Sequence, residues 1–348
     1  MTPPMPRTIR LLPLLLLPLA ACSDGPAGPG GGLGRYEPLA ACSGGQADGY
    51  TCNRVDLLGH LALAELEPEP NVAEANDIWG WTDPATDKNY ALVGRQNGVD
   101  IVDITEPRTP QAVGRLPSAA GTSTWRDIKV YKNHMYVVAD GAPGHGMQVF
   151  DLRRVRSATE FTTFTADAVY TGVSSVHNLA IDEETGFAYA LGSNGGGTTC
   201  GGGLHMIDIR NPESPQFAGC FAQIGTGRAK SGYTHDAQCV VYEGPDNQYD
   251  GREICFGANE TALVIADVSD KTAPVGLSTA SYPDVRYAHQ GWLTPDHRYF
   301  LQNDELDEVT GATTMTRMLV WDVTDLEDPV LAREYAGPTR AIDHNLYI

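Results

Sequence analysis

Four histidines stand at one place in successive repeats of the chain: His177, His235, His289 and His344, spaced by 58, 54 and 55 residues. Each is followed by an amide or a carboxylate (Asn178, Asp236, Gln290, Asn345), and Arg126-Asp127 holds the same place one repeat earlier. Neutral imidazole ligates transition metals and a carboxylate supplies an oxygen. His177, His235, Asp236, His289 and His344 are therefore a candidate site for a divalent metal. An ion held there would polarise a bound water for hydrolysis. The competing reading is structural: an ion needs three or four ligands in close reach, whereas a histidine in every repeat suits a lock between neighbouring strands. Repetition favours the lock. His60, His134, His145, His205 and His297 lack this registration and read as ordinary.

The acidic run Asn303 to Glu308 is a second candidate. Asp304, Glu305, Asp307 and Glu308 are oxygen donors of the kind Ca²⁺ collects, six to eight at a time. EF-hand spacing is absent here, and Asp246 to Gly251 meets it only in part, so a solvated acidic loop is the better reading. No HExxH, GxSxG or P-loop occurs. GTGRAKSG (225–232) has glycines and a lysine without P-loop spacing, and 192–203 is a glycine-rich loop.

The elements that must position these residues come from a repeat. VDIVDITEPRTPQAVGRL, beginning at Val99, recurs as MQVFDLRRVRSATEF, LHMIDIRNPESPQFAGCF, LVIADVSDKTAPVGLS and MLVWDVTDLEDPVLAREY. Its aspartate falls at Asp103, Asp151, Asp208, Asp267 and Asp322, at spacings of 48, 57, 59 and 55 residues. That period, with strand-like units, predicts an all-β chain, a β-propeller of four-stranded blades. Each apolar run has the length of a buried strand. The aspartate accepts N–H bonds from two residues on, and proline then stops the ladder. First strands of five blades are expected near Asp77, Trp125, His177, His235 and His289, with a sixth begun at 343–348 and left incomplete. Val55 to Glu65 is expected as a strand that closes the ring. The first strand of a blade lines the central channel, so the four histidines would surround one mouth.

Composition restricts partners. Lys and Arg number 24 against 44 Asp and Glu, a net charge of −20. Such a surface repels nucleic acid and anionic lipid. Residues 1–21 carry Arg7, Arg10 and LLPLLLLPLAA, a charged start and an apolar stretch too short to span a membrane. Leu19-Ala20-Ala21-Cys22 resembles the bacterial lipobox, which implies cleavage before Cys22 and acylation of its thiol. Ser23 resembles the signal that sends lipoproteins to the outer membrane. Residues 22–34 are then a lipidated Gly/Pro tether, and 35–348 the folded part. Six cysteines remain in an oxidising compartment, and six allow 15 connectivities. Proximity suggests Cys42–Cys52, Cys200–Cys220 and Cys239–Cys255, the last flanking a hairpin with Asp250-Gly251.

The copies VDIVD, LVIAD and LVWD resemble the LVIVD repeat. With WRDIKVYKNHMYVVADG, GYTHDAQCVVYEGPD, AHQGWLTPDHRYFLQNDELDE and AIDHNLYI, the chain from Cys42 to Ile348 resembles the bacterial choice-of-anchor B surface proteins. The resemblance implies an exported propeller, seven-bladed when whole, with about one and a half blades missing here, and it implies no reaction. The expected function is an envelope-anchored, monomeric, non-enzymatic binding or scaffold module for a protein or glycan. The alternative is a metal-dependent hydrolase with its metal at the channel mouth.

Overall fold

Apolar runs of five to eight residues become strands wherever the repeat places them. The computed structural model describes residues 37–66 and 74–348; the expected signal sequence, the expected lipidation at Cys22 and the expected tether lie outside the described residues. The chain divides into two units at Leu58/Gly59. The first holds a two-residue hairpin, Gln46–Ala47 with Tyr50–Thr51, the Cys42–Cys52 disulfide and a bridge between Ala40 and Leu57.

Besides a small sheet that pairs Val173–Ser175 with Asn194–Gly197, the second unit holds five larger sheets in succession, built mainly from antiparallel neighbours. Their first two strands are Ala75–Thr82 and Asn89–Arg95, Trp125–Tyr131 and His134–Asp140, Asn178–Asp182 and Phe187–Leu191, Asp236–Val241 and Glu253–Ala258, and Ala288–Leu293 and Tyr299–Asp304. The third strands, Gly98–Asp103, Met147–Asp151, Leu204–Asp208, Leu263–Asp267 and Arg317–Asp322, each end on the repeated aspartate. All five aspartates do the same work. Asp103, Asp151, Asp208, Asp267 and Asp322 accept the N–H of the residue two further on, at 2.9–3.0 Å. The carboxylate thereby turns the chain out of the third strand, as a cap does.

The first strand of each sheet lies against the first strand of the next. Apolar side chains fill the spaces between successive sheets. Leu92, Ile101, Ile128 and Met135 join the first two, Tyr136, Val149, Leu179 and Ile207 the next, and Phe256, Ile265, Phe300 and Trp321 the last. This all-β, propeller-like stacking presents the first-strand residues to one another.

Three stretches depart from expectation. Residues 55–65 make no closing strand. Leu57 bridges Ala40, Leu63–Leu66 form one helical turn, and Val55 is 69% exposed, so its apolar pattern finds no sheet edge. After Asp151 the chain takes a 3-10 turn, Leu152–Ser157, and Thr162–Thr163 crosses to run parallel to the last strand of the first sheet. The outer strand of the second sheet therefore waits until Ala168–Tyr170. Residues 343–348 form no strand.

Cys200–Cys220 and Cys239–Cys255 are bonded, and three disulfides fit an extracytoplasmic protein. No helix among the described residues is long and apolar enough to cross a membrane. Cys239 faces Cys255 directly across two paired strands, and both are buried. Closing a loop of this size is worth about 2–4 kcal/mol. The double variant Cys239→Ala/Cys255→Ala should melt correspondingly lower in a thermal scan. An unchanged midpoint would show that the pairing of the strands alone holds this hairpin.

Candidate functional site

The stacking of first strands brings the four registered histidines into a row. Ring centroids are 4.4 Å apart for His177 and His235, 4.0 Å for His235 and His289, and 5.0 Å for His289 and His344. His177, His235 and His289 stand at the starts of three first strands, and the rings of His235 and His289 reach toward the next stretch of chain. His235 donates its Nδ1–H to the carbonyl of His289 at 3.0 Å, and His289 donates to the carbonyl of His344 at 2.6 Å. His177 Nδ1 bonds the Asp140 carboxylate at 2.9 Å. A carbonyl can only accept, so the proton sits on Nδ1 in His235 and His289, and Nε2 keeps its lone pair. Burial, then the neighbouring imidazoles, push both well down, His289 to about 3. These rings stay neutral acceptors across the physiological range.

The row is not a chelate. Among the described residues, no three of the ligand atoms of His177, His235, Asp236, His289 and His344 come within 4.8 Å of one another. Staggering by one blade per ring sets the imidazoles side by side and does not aim them at a common point. The acidic run is dispersed as well. Asp304 is fully buried and accepts the Tyr282 hydroxyl at 2.8 Å and the N–H groups of Arg286, Tyr287 and Leu306. Asp307 holds Arg317 Nε at 2.7 Å. Glu305 turns toward His289, 3.8 Å away. Burial, then Asp307 and Asp343, raise Glu308 to about 8, which disfavours the charge a cation needs. Asp304, Glu305, Asp307 and Glu308, the residues expected to offer oxygens to calcium, thus each face different neighbours.

In four sheets the residue after the histidine position clasps the next stretch of chain. Asp77 accepts the Ile128 N–H at 2.9 Å, and Asp127 that of Leu179 at 2.6 Å. Asn178 donates to the His235 carbonyl at 2.9 Å, and Gln290 exchanges two bonds with Leu346. Asp236 departs from this pattern. Its carboxyl accepts its own neighbour's N–H, from Ala237 at 2.7 Å, and the clasp of its sheet passes to Gln238, which takes the Leu293 N–H. Asp236, Lys129 and Tyr347 line both channel cavities, one of about 710 Å³ beneath the histidine row and one of about 440 Å³ beyond it. They form the waist between the two.

The waist is electrostatically tight. Lys129 Nζ lies 2.5 Å from Asp127 and 4.5 Å above the Trp79 ring. Burial would lower its pKa, but Asp127, Asp77, Tyr347 and Asp236 together raise it. Burial, then the Asp127 charge, lift Asp236 to about 7 against the pull of Lys129. A carboxyl that titrates near neutrality, faces a cavity and carries no structural duty is the type of group that moves protons. Sequence reasoning reached Asp236 as an oxygen donor and missed Lys129, Trp79 and Tyr347. Lys129 lies two residues after Asp127, as Gln238 lies two after Asp236, and that shared offset was the available signal.

The LVIVD repeat model matches residues 85–116, in the first of these sheets, and 255–279, in the fourth. Among solved structures, the chain is similar to the periplasmic gluconolactonase of Pseudomonas aeruginosa at 10% identity and a TM-score of 0.51, over 76% of this chain and 73% of that one. It is likewise similar to a Bacteroides uniformis protein provisionally named a 6-phosphogluconolactonase, at 9% identity and a TM-score of 0.51, over 77% and 74% of the two chains. A Lactobacillus plantarum protein aligns at 15% identity and a TM-score of 0.48, over 69% of this chain and 63% of its own, so the chain spans less than two thirds of it. No curated protein matches the sequence. Identities this low speak for the fold alone. They nevertheless overturn the expected non-enzymatic binding or scaffold module. That expectation rested on the anchor, the tether, the regular repeat and the missing catalytic motifs; a gluconolactonase has a similar fold, so none of these excludes an enzyme.

Proposed function

We propose that the protein is a hydrolase of small, neutral, polyhydroxylated carbonyl esters, of which an unphosphorylated sugar lactone is the model substrate. The observation that carries this reading is Asp236, held near neutrality at the channel waist and free of the clasp its counterparts make. In this mechanism the Asp236 carboxylate takes a proton from water as the water oxygen bonds the lactone carbonyl carbon. The Lys129 ammonium stabilises the charge that develops on the carbonyl oxygen. The ring C–O bond then breaks, and the proton held by Asp236 goes to the departing ring oxygen. Above the waist, the bare Nε2 atoms of His235 and His289 accept substrate hydroxyls.

The cavity favours a neutral ligand. Arg126 is already engaged by the carbonyls of Arg95 and Gln96, Ser118 Oγ and His145, and Lys129, with one donor on Asp127, keeps its others for a carbonyl oxygen. A phosphate would meet Asp77, Asp127 and Glu305 in the same space. Its exported, lipid-anchored placement through Cys22, as in a choice-of-anchor B lipoprotein, is part of the same proposal and is supported by the Leu19–Cys22 resemblance.

The test is a hydrolysis assay on a panel of aldonolactones and their 6-phosphates, with wild type and Asp236→Asn. Hydrolysis of a neutral lactone that the variant loses supports the reading. No turnover of any lactone by the wild type, or equal turnover by both, would sink it.

A further inference from the structure

Away from the channel, His134 opens the second strand of the second sheet and is 5% exposed. Its Nδ1 donates to the Lys132 carbonyl at 2.8 Å, which leaves the lone pair on Nε2. That buried Nε2 has no hydrogen-bond partner among the described residues. Buried polar atoms are rarely left so, and a bare nitrogen of this kind requires an explanation. Two carboxylates face it. Asp151 stands directly opposite His134 in the antiparallel register, so both side chains leave the sheet on one face. Glu213 comes from the turn after the third strand of the next sheet, with Oε1 3.9 Å from His134 Nε2. Lys132 Nζ bonds the Arg210 carbonyl at 3.3 Å and ties that turn to the His134 hairpin. One ligand atom from each of the three residues falls within 4.8 Å of the others.

We infer that His134, Asp151 and Glu213 bind a divalent transition metal, with zinc the best fit, at the outer junction of the second and third sheets. One imidazole and two carboxylates with water in the remaining position suit Zn²⁺, and Ca²⁺ would avoid the nitrogen. The backbone carbonyl behind Nδ1 is the usual support for a metal-binding ring. Arg153 now holds the Asp151 carboxylate, with Nε at 2.7 Å and Nη2 at 2.8 Å. Its side chain is 47% exposed, so it can swing away as the metal takes its place. The ion would staple two sheets that packing and the Lys132 bond already join at this edge.

The opposed roles of Glu213 and Arg153 give the test. Zn²⁺ is titrated calorimetrically into the full chain, wild type, Glu213→Gln and Arg153→Ala; both positions are on the surface, so the variants fold. One zinc per chain is expected for the wild type, weakened at least about tenfold in Glu213→Gln and tightened in Arg153→Ala. Zinc should raise the melting temperature of the wild type more than that of Glu213→Gln. Absence of zinc binding overturns the inference. So does binding that neither substitution alters, which would place the ion elsewhere, such as on the channel histidines.

Discussion

Replacing Asp100 by alanine is expected to destabilise the fold by about 3–5 kcal/mol. Asp100 is fully buried in the first sheet, where Arg95 Nη1 approaches one oxygen at 3.0 Å and Arg115 Nε the other at 2.9 Å. The sheet imposes this arrangement: Asp100 and Arg115 are directly opposed across two strands, and Arg95 and Gly98 flank a two-residue turn that sets Asp100 two residues further on. Arg95 and Arg115 are 1% and 3% exposed. Alanine would remove the carboxylate that two buried guanidinium groups share, and breaking a buried charge cluster costs far more than the intact cluster contributes. Asp100→Asn keeps the shape and should lose nearly as much. Urea unfolding measures the effect, and a loss under about 1 kcal/mol would show that other groups neutralise the arginines. The damage should reach the channel. Arg126, which occupies the histidine position of the second sheet, donates its Nε–H to the Arg95 carbonyl at 2.6 Å.

What could be read from the chain, and what could not, follows from sequence separation. Five aspartate caps act within two residues, so the repeat displays them in full. The first strands and the Cys239–Cys255 hairpin are nearly as local. The four histidines share a register, as their spacing requires, yet spacing is silent on which nitrogen faces the next sheet. That detail turned a proposed metal ring into a row of neutral acceptors. His134 read as ordinary because Glu213 arrives from another sheet. Asp236 looked like one member of a recurring set. Its distinction is that it lacks the clasp its counterparts make, which only the neighbouring sheet can reveal.

Asp236→Asn is expected to lower the turnover of neutral lactones by about 10²–10⁴-fold, the range general-base catalysis supplies. Wild-type turnover should rise with pH through about 7, where burial and Asp127 have placed this carboxyl, and the variant should lose that limb. The sign for stability is opposite. A carboxyl whose folded pKa is raised stabilises fully below its unfolded value, near 3.8, and loses that contribution as pH rises through about 7. At pH 8 the ionised Asp236 is therefore a burden, and Asp236→Asn should melt no lower than the wild type. A proton-transfer group kept at a structural cost gives this pair of results, activity lost and stability kept. Lys129→Met should move the pH limb upward, because Lys129 is what holds Asp236 down. If Asp236→Asn instead unfolds the protein at pH 8, Asp236 is a structural residue, and the hydrolytic reading fails with it.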